Sequence, residues 1–340
     1  MTGPLDPFGR NINYLRISVT DRCNLRCIYC MPLEGVPQMS HIELLSYEEI
    51  QTVVRAAAEL GINRIRLTGG EPLVRAELPK LVRMLSQIEG IEEVTLTTNG
   101  VLLKKYALEL KQAGLSRVNV SLDTLKADKF RYITRLGELQ GVLEGIEAAK
   151  KAGFEPVKIN TVLMRGINDD EILDFARMTY EDGWHVRFIE LMPFKGVAPM
   201  PSGFVPSIEL RQHISLLGKL EPYPPNSIGG SIGITGNGPA MYYRLAGAKG
   251  TIGFITPLTK TSFCSRCNRM RLTSDGKLRP CLLREDEIDL KLPLRSDEIG
   301  ASMKELKRLI LKAVASKPEH HHLNEGVARL VNRKMSQIGG

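Results

Sequence analysis

Residues 14–30 read YLRISVTDRCNLRCIYC. The first seven (14–20) predict a strand in which the polar Arg16 and Ser18 recur at period two among apolar residues. A loop carrying three cysteines, Cys23, Cys27 and Cys30, follows at once. SYEEIQTVVRAAAELG (46–61) then has helical spacing, with Ser46 and Glu49 placed for a capping box. The same unit recurs. INRIRLT (62–68) predicts a second strand with a helix over 74–89, and EEVTLTT (92–98) a third with a helix over 101–113. SRVNVSL (116–122) predicts a fourth strand with helical segments over 126–152, EPVKINTVL (155–163) a fifth with a helix from Asp169 to Asp182, and HVRFIEL (185–191) a sixth.

Strands alternating with helices predict an α/β fold with a parallel sheet and right-handed crossovers. Six such units point to a partial, open TIM barrel, with a doubly wound sheet as the rival arrangement. Both place chemistry at the C-terminal ends of the strands. The cysteine loop follows strand one, GGEP (69–72) strand two, TTNG (97–100) strand three and SLD (121–123) strand four. Strand five carries Lys158 and Asn160 on one face, and strand six leads to Glu190 and Met192. Polar pairs also recur at period two in Arg66 and Thr68 and in Asn119 and Ser121. Buried polar groups are costly unless satisfied, so an inward-facing set implies a wet, ligand-filled interior. For any one pair, an outward orientation is the competing reading.

After Met192 the rhythm stops. A Pro- and Gly-rich loop (193–206), a short helix over 207–217 and a turn-rich crossing (221–239) lead to a smaller α+β region that closes the barrel. That region has strands at MYYRLA and TIGFIT, a hairpin at Ser274-Asp275-Gly276, and helices near 284–290 and 297–316. The expected division is 1–220 for the barrel and 221–340 for the C-terminal region.

The 340 residues are 43% hydrophobic and 25% charged, an ordinary globular mixture, and no apolar run approaches the ~18 residues of a membrane span. The first twenty residues lack the apolar core of a signal peptide, so a cytoplasmic location is expected, where thiols stay reduced. A net charge of +8 suits either an anionic partner or plain solubility. Basic residues are spread along the chain and aromatics are 6%, too few for a typical single-strand nucleic-acid surface. An iron–sulfur or zinc protein that binds nucleic acid is the competing class, though it would leave the loops of six strands idle.

The six cysteines form two triplets, Cys23, Cys27 and Cys30 at C-x3-C-x2-C, and Cys264, Cys267 and Cys281 at C-x2-C-x13-C. Four thiolates close a zinc site or fill a 4Fe–4S cluster; three leave one iron open to a small molecule. Zinc would need a fourth ligand, with His41 available to the first triplet and His213 or His320 to the second.

C-x3-C-x2-C with Tyr29 before its last cysteine, after the first strand of a partial barrel, and GGEP after the second resemble the radical S-adenosylmethionine superfamily. The second triplet, the opening LRISVTDRCNLRCIYC and the tail QIGG narrow the resemblance to the GTP 3′,8-cyclase family of molybdenum cofactor biosynthesis, over essentially the whole chain. The resemblance implies two 4Fe–4S clusters, one on each triplet, with S-adenosylmethionine on the open iron of the first. It implies cofactor contacts at Tyr29, Gly70, Ser121 and Met192. Nucleotide contacts fall at Arg16, Arg66, Thr97, Lys158 and the run Arg269, Met270, Arg271, with Arg266 able to join. Lys158 has a salt bridge to Glu190 as its competing reading. The implied reaction cleaves S-adenosylmethionine to methionine and a 5′-deoxyadenosyl radical, which removes the ribose 3′ hydrogen of GTP, giving 3′,8-cyclo-7,8-dihydro-GTP. Gly339 and Gly340 would reach into the active site beside the substrate. GTP is the substrate partner, a separate reductant supplies electrons and the product passes to the next enzyme. No membrane and no nucleic acid are implied, and a homodimer is allowed. The other radical-enzyme reading, action on peptide or RNA, usually comes with more C-terminal cysteines.

Overall fold

The structure, a computed structural model, describes residues 2–192, 203–223, 238–259, 262–296, 299–321 and 333–339. The first six strands are β1 (Tyr14–Ser18), β2 (Arg64–Thr68), β3 (Glu93–Thr98), β4 (Arg117–Ser121), β5 (Lys158–Leu163) and β6 (His185–Glu190). Between them run α1 (Tyr47–Glu59), α2 (Leu78–Ser86), α3 (Leu103–Gln112), α4 (Ala127–Thr134), α5 (Leu139–Lys151) and α6 (Ile172–Glu181). Then come α7 (Ser207–Ile214), β7 (Leu220–Pro222), β8 (Met241–Leu245), β9 (Thr251–Ile255), α8 (Ser262–Ser265), β10 (Arg269–Leu272), β11 (Lys277–Arg279) and β12 (Ile288–Asp289). The chain finishes with α9 (Lys291–Leu294), α10 (Ile299–Ala315) and α11 (Met335–Ile338).

Local chemistry accounts for the units. At α1, Ser46 Oγ accepts the Glu49 amide at 3.1 Å while the Glu49 carboxylate accepts the Ser46 amide at 2.7 Å. This reciprocal cap starts the helix, which buries Ile50, Val53, Val54 and Ala57 at helical spacing. The strands alternate. Leu15, Ile17, Ile65, Leu67, Val118, Val120, Ile159, Val186 and Phe188 all enter one hydrophobic core. Each fully buried aliphatic side chain contributes about 1.5–3 kcal/mol. The residues between them face the other way, into the barrel.

The strands form one sheet in the order β12-β11-β10-β1-β2-β3-β4-β5-β6-β9-β8-β7. Sequential order from β1 to β6 without reversal excludes the doubly wound alternative, in which the order turns back at a switch point. Two strands of the C-terminal region extend the parallel run: β10 pairs with β1 and β9 with β6. Residues on both sides of position 220 therefore build one sheet. Among the described residues its ends do not pair with each other, so the barrel is open.

One expected element is replaced. Residues 284–290 do not form a helix; Ile288 and Asp289 pair with Leu278 and Lys277 as β12. Arg279, buried under this strand, pairs with Glu287 and with the Arg284 carbonyl, and these contacts hold the segment extended. The loops expected at 193–206 and 221–239 lie largely outside the described residues.

Candidate active site

Both cysteine triplets line a single cavity of about 300 Å³ inside the barrel. Around the first triplet the strand ends supply buried acceptors. Tyr29 donates its hydroxyl to Asp123 Oδ2 at 2.7 Å, and Asp123 Oδ1 accepts the Val162 amide at 2.8 Å. Burial pushes the Asp123 carboxyl up to about 6, and that of Glu71, in GGEP, up to about 7. Glu71 ties this turn to the next strand end by accepting from Thr98 Oγ1 and the Asn99 amide, both at 2.7 Å. Asn99 Nδ2 stands 3.9 Å from Cys23 Sγ, and the Leu25 amide donates to the same sulfur at 3.4 Å.

Burial raises the Cys23 thiol to about 11 and Cys30 to about 12; it also raises Cys27, which its neighbour Cys30 pushes further up. Three buried thiols whose thiolates would repel one another, with amide donors on one sulfur, suit a metal centre, because a bound cation is what makes thiolates stable there. Among the described residues no three His, Cys, Asp or Glu side chains are set to hold a single metal ion. Thiolates that each take a different iron of a cubane stand wider apart. His41, His213 and His320, the candidate fourth zinc ligands, are all exposed and none lines the cavity.

The middle of the cavity is cationic. Pairing register sets Arg271 opposite Arg16 and Arg16 opposite Arg66, three arginines abreast on β10, β1 and β2. Like charges directly opposite one another destabilise a sheet. Burial and then the neighbouring guanidinium of Arg271 drive Arg16 well down from its ordinary value; burial and then Arg269 bring Arg271 to about 10. Arg187 on β6 joins them. It is 5% exposed, lines the cavity, and leaves Nε and Nη2 buried without a hydrogen-bond partner among the described residues. Arg66 reaches Thr97 Oγ1 at 3.5 Å.

At the second triplet the charge differs. Burial raises the Cys267 thiol, but the Arg269 and Lys317 cations outweigh this and hold it at about 6. Arg269 Nη2 lies 3.7 Å from Cys267 Sγ. Cys267 is thus poised as thiolate, while burial raises the Cys264 thiol; a thiolate beside cations suits a cluster ligand.

Of the residues singled out in the sequence, the cavity wall holds all six cysteines with Arg16, Tyr29, Arg66, Gly70, Thr97, Ser121, Met192, Arg269 and Arg271. Met270 does not join them: on an alternating strand its side chain enters the hydrophobic core while Arg269 and Arg271 face the cavity. Lys158 is buried one register step below the lining, with its ammonium 5.6 Å from the Tyr242 ring. The competing salt bridge to Glu190 is not formed: that carboxylate takes the Leu258 and Thr259 amides and the Thr259 hydroxyl. Arg266 is exposed. Gly339 is buried at φ +71° against Ser18 and Thr68, its carbonyl accepting from Arg271. Ser336 beside it lines the cavity, while Gly340 lies outside the described residues.

Arg187 was missed in the sequence. The period-two signal that marked Arg16 and Arg66 is equally present in HVRFIEL. Glu71, Asn99 and Asp123 sit inside GGEP, TTNG and SLD, but their roles depend on partners far away in the chain.

Comparison with known proteins agrees with this geometry. Residues 17–179 match the radical SAM superfamily and residues 184–323 match Molybdenum Cofactor Synthesis C. The chain is 54% identical to the GTP 3′,8-cyclase of Moorella thermoacetica over 98% of its length and 99% of that protein. It is equally 54% identical to that of Pelotomaculum thermopropionicum, with the same coverage. Among solved structures it resembles Streptococcus suis SuiB bound to S-adenosylmethionine, with TM-score 0.61 at 14% identity over 86% of this chain and 66% of that one, a likeness of fold. No described helix is long and apolar enough to cross a membrane. The chain belongs to the GTP 3′,8-cyclase family of radical S-adenosylmethionine enzymes.

Proposed function

We propose that this chain cyclises GTP to 3′,8-cyclo-7,8-dihydro-GTP, the first step of molybdenum cofactor biosynthesis. Cys23, Cys27 and Cys30 hold one 4Fe–4S cluster, and Cys264, Cys267 and Cys281 hold the second. When bound, the first cluster with S-adenosylmethionine supplies the one-electron chemistry that starts the reaction. A separate reductant feeds it, and the product goes on to the next enzyme of the pathway.

The observation that carries this reading is the row Arg271–Arg16–Arg66, with Arg187 facing it. A polyanion would relieve the repulsion within such a set, and guanidinium forks match phosphate oxygens. The triphosphate therefore lies between the two triplets, supported by Thr97 and Arg269, with Lys158 adding positive charge from below. The Gly70 turn admits the methionine group, Ser121 and Met192 flank the cofactor, and Asp123 orients Tyr29. The Gly339–Gly340 tail stands beside the substrate.

The test is anaerobic reconstitution, iron and sulfide counting, then addition of dithionite, S-adenosylmethionine and GTP. The expected result is about eight irons per chain, with 5′-deoxyadenosine and cyclised nucleotide formed together. 5′-Deoxyadenosine without GTP consumption would refute the substrate. Cys27→Ala should abolish cleavage of S-adenosylmethionine, whereas Cys267→Ala should keep some cleavage and lose the cyclised product. Equal loss of both would make the second triplet structural.

A further inference from the structure

The segment 317–321, just after α10, spans the opening between the two edges of the parallel run. On the β10 side, Lys317 Nζ donates to the Arg269 and Pro280 carbonyls, both at 2.7 Å. On the β9 side, the His321 ring bonds the Pro257 carbonyl at 2.6 Å. Arg10 grips the strap from the far end of the chain, donating to the Glu319 carbonyl at 2.8 Å, the Pro318 carbonyl at 2.5 Å and the Cys264 carbonyl at 2.9 Å. All three cysteines of the second triplet are thereby tied to one segment. Arg269 follows Cys267 by two residues, and Pro280 immediately precedes Cys281.

Lys317 stands out within the strap. It is 3% exposed and lines the cavity with the triplet. Both of its hydrogen-bond partners among the described residues are carbonyls, which satisfy two of three ammonium N–H donors. A buried ammonium hydrogen-bonded only to neutral carbonyls is costly unless an anionic group stands beside it. Nearby Arg269 and Arg271 add charge of the same sign. A cubane bearing three thiolates is net anionic, and more so when reduced, so a bound cluster offsets part of this positive charge. We propose that Lys317 is a positioning residue of the second cluster: it joins the strands that carry Cys267 and Cys281 and supplies the buried positive charge that favours the reduced cluster. This rests on the reading that the second triplet holds a cluster.

The test uses full-length protein in which Cys23, Cys27 and Cys30 are changed to Ala, so that the second cluster alone forms, carrying Lys317 or Lys317→Gln or Lys317→Arg. Glutamine keeps amide donors for the carbonyls without the charge; arginine keeps the charge. Each is reconstituted, assayed for iron and sulfide, and titrated under redox control by electron paramagnetic resonance. The expected result for Lys317→Gln is a more negative midpoint, with the reduced-to-oxidised ratio at fixed reductant lowered about tenfold, equal to 59 mV for one electron. Lys317→Arg should stay within about twofold of the parent. If Lys317→Gln keeps the parent's midpoint and iron content, the proposal is overturned, even where its melting temperature falls. If Lys317→Gln takes up no iron while Lys317→Arg does, the positioning role is supported. If the parent with Lys317 binds no iron at all, the cluster reading itself fails and the proposal with it.

Discussion

Arg187 shows how a single side chain is read from its surroundings. Buried, charged and with Nε and Nη2 unpartnered among the described residues, it costs the fold stability until an anion arrives. A hydrogen bond to a charged group contributes about 1.5–3 kcal/mol. Arg187→Gln should therefore raise KM for GTP about 10- to 100-fold while cleavage of S-adenosylmethionine persists; steady-state kinetics of both products check this. His185 at the start of β6 makes a second prediction. Burial, then Lys158, lowers its pKa from 6.5 to about 4, while its Nδ1 meets Thr251 Oγ1 at 2.9 Å. The folded state prefers neutral imidazole, so the stability this residue contributes is present above pH 6.5 and drains away as pH falls towards 4. The gap is worth on the order of 3 kcal/mol. Urea midpoints of cluster-free protein should fall between pH 6.5 and 4, and His185→Gln should flatten that slope.

At the scale of elements, turns bring the motifs together. The GGEP turn after β2 presses on the loop after β1: the Gly70 amide donates to the Thr20 carbonyl at 2.7 Å, and a Cβ at Gly70 would run into the Arg22 carbonyl. Gly70→Ala should push this turn away from the cysteine loop. The expected outcome is at least tenfold weaker S-adenosylmethionine binding in reconstituted enzyme, with circular dichroism unchanged; unaltered affinity would remove Gly70 from the site. The capping box of α1 and the strands β1 to β6 were legible because their determinants are local and periodic. β12 was not. The segment 284–290 is held extended by Arg279 and Glu287, a contact that helical propensity does not register.

At the scale of the whole molecule, segments far apart in the chain converge on the open barrel. Arg10 near the start and Gly339 near the end both reach the site, the first through the Cys264 carbonyl and the second against Ser18, Thr68 and Arg271. Deleting Gly339 and Gly340 should hurt turnover more than folding, read as steady-state rate against melting temperature; a large drop in melting temperature would make the tail a structural brace instead. The sequence by itself determined the rhythm of strands and helices, both cysteine triplets and most of the arginines, because these are written in spacing and alternation within short windows. Only the tertiary structure decided that β9 and β10 extend the parallel run, that Arg271, Arg16 and Arg66 stand abreast, that Met270 turns away and that Lys317 closes over the second triplet. Those outcomes depend on strand register and on contacts between residues tens to hundreds of positions apart, and no local pattern encodes them.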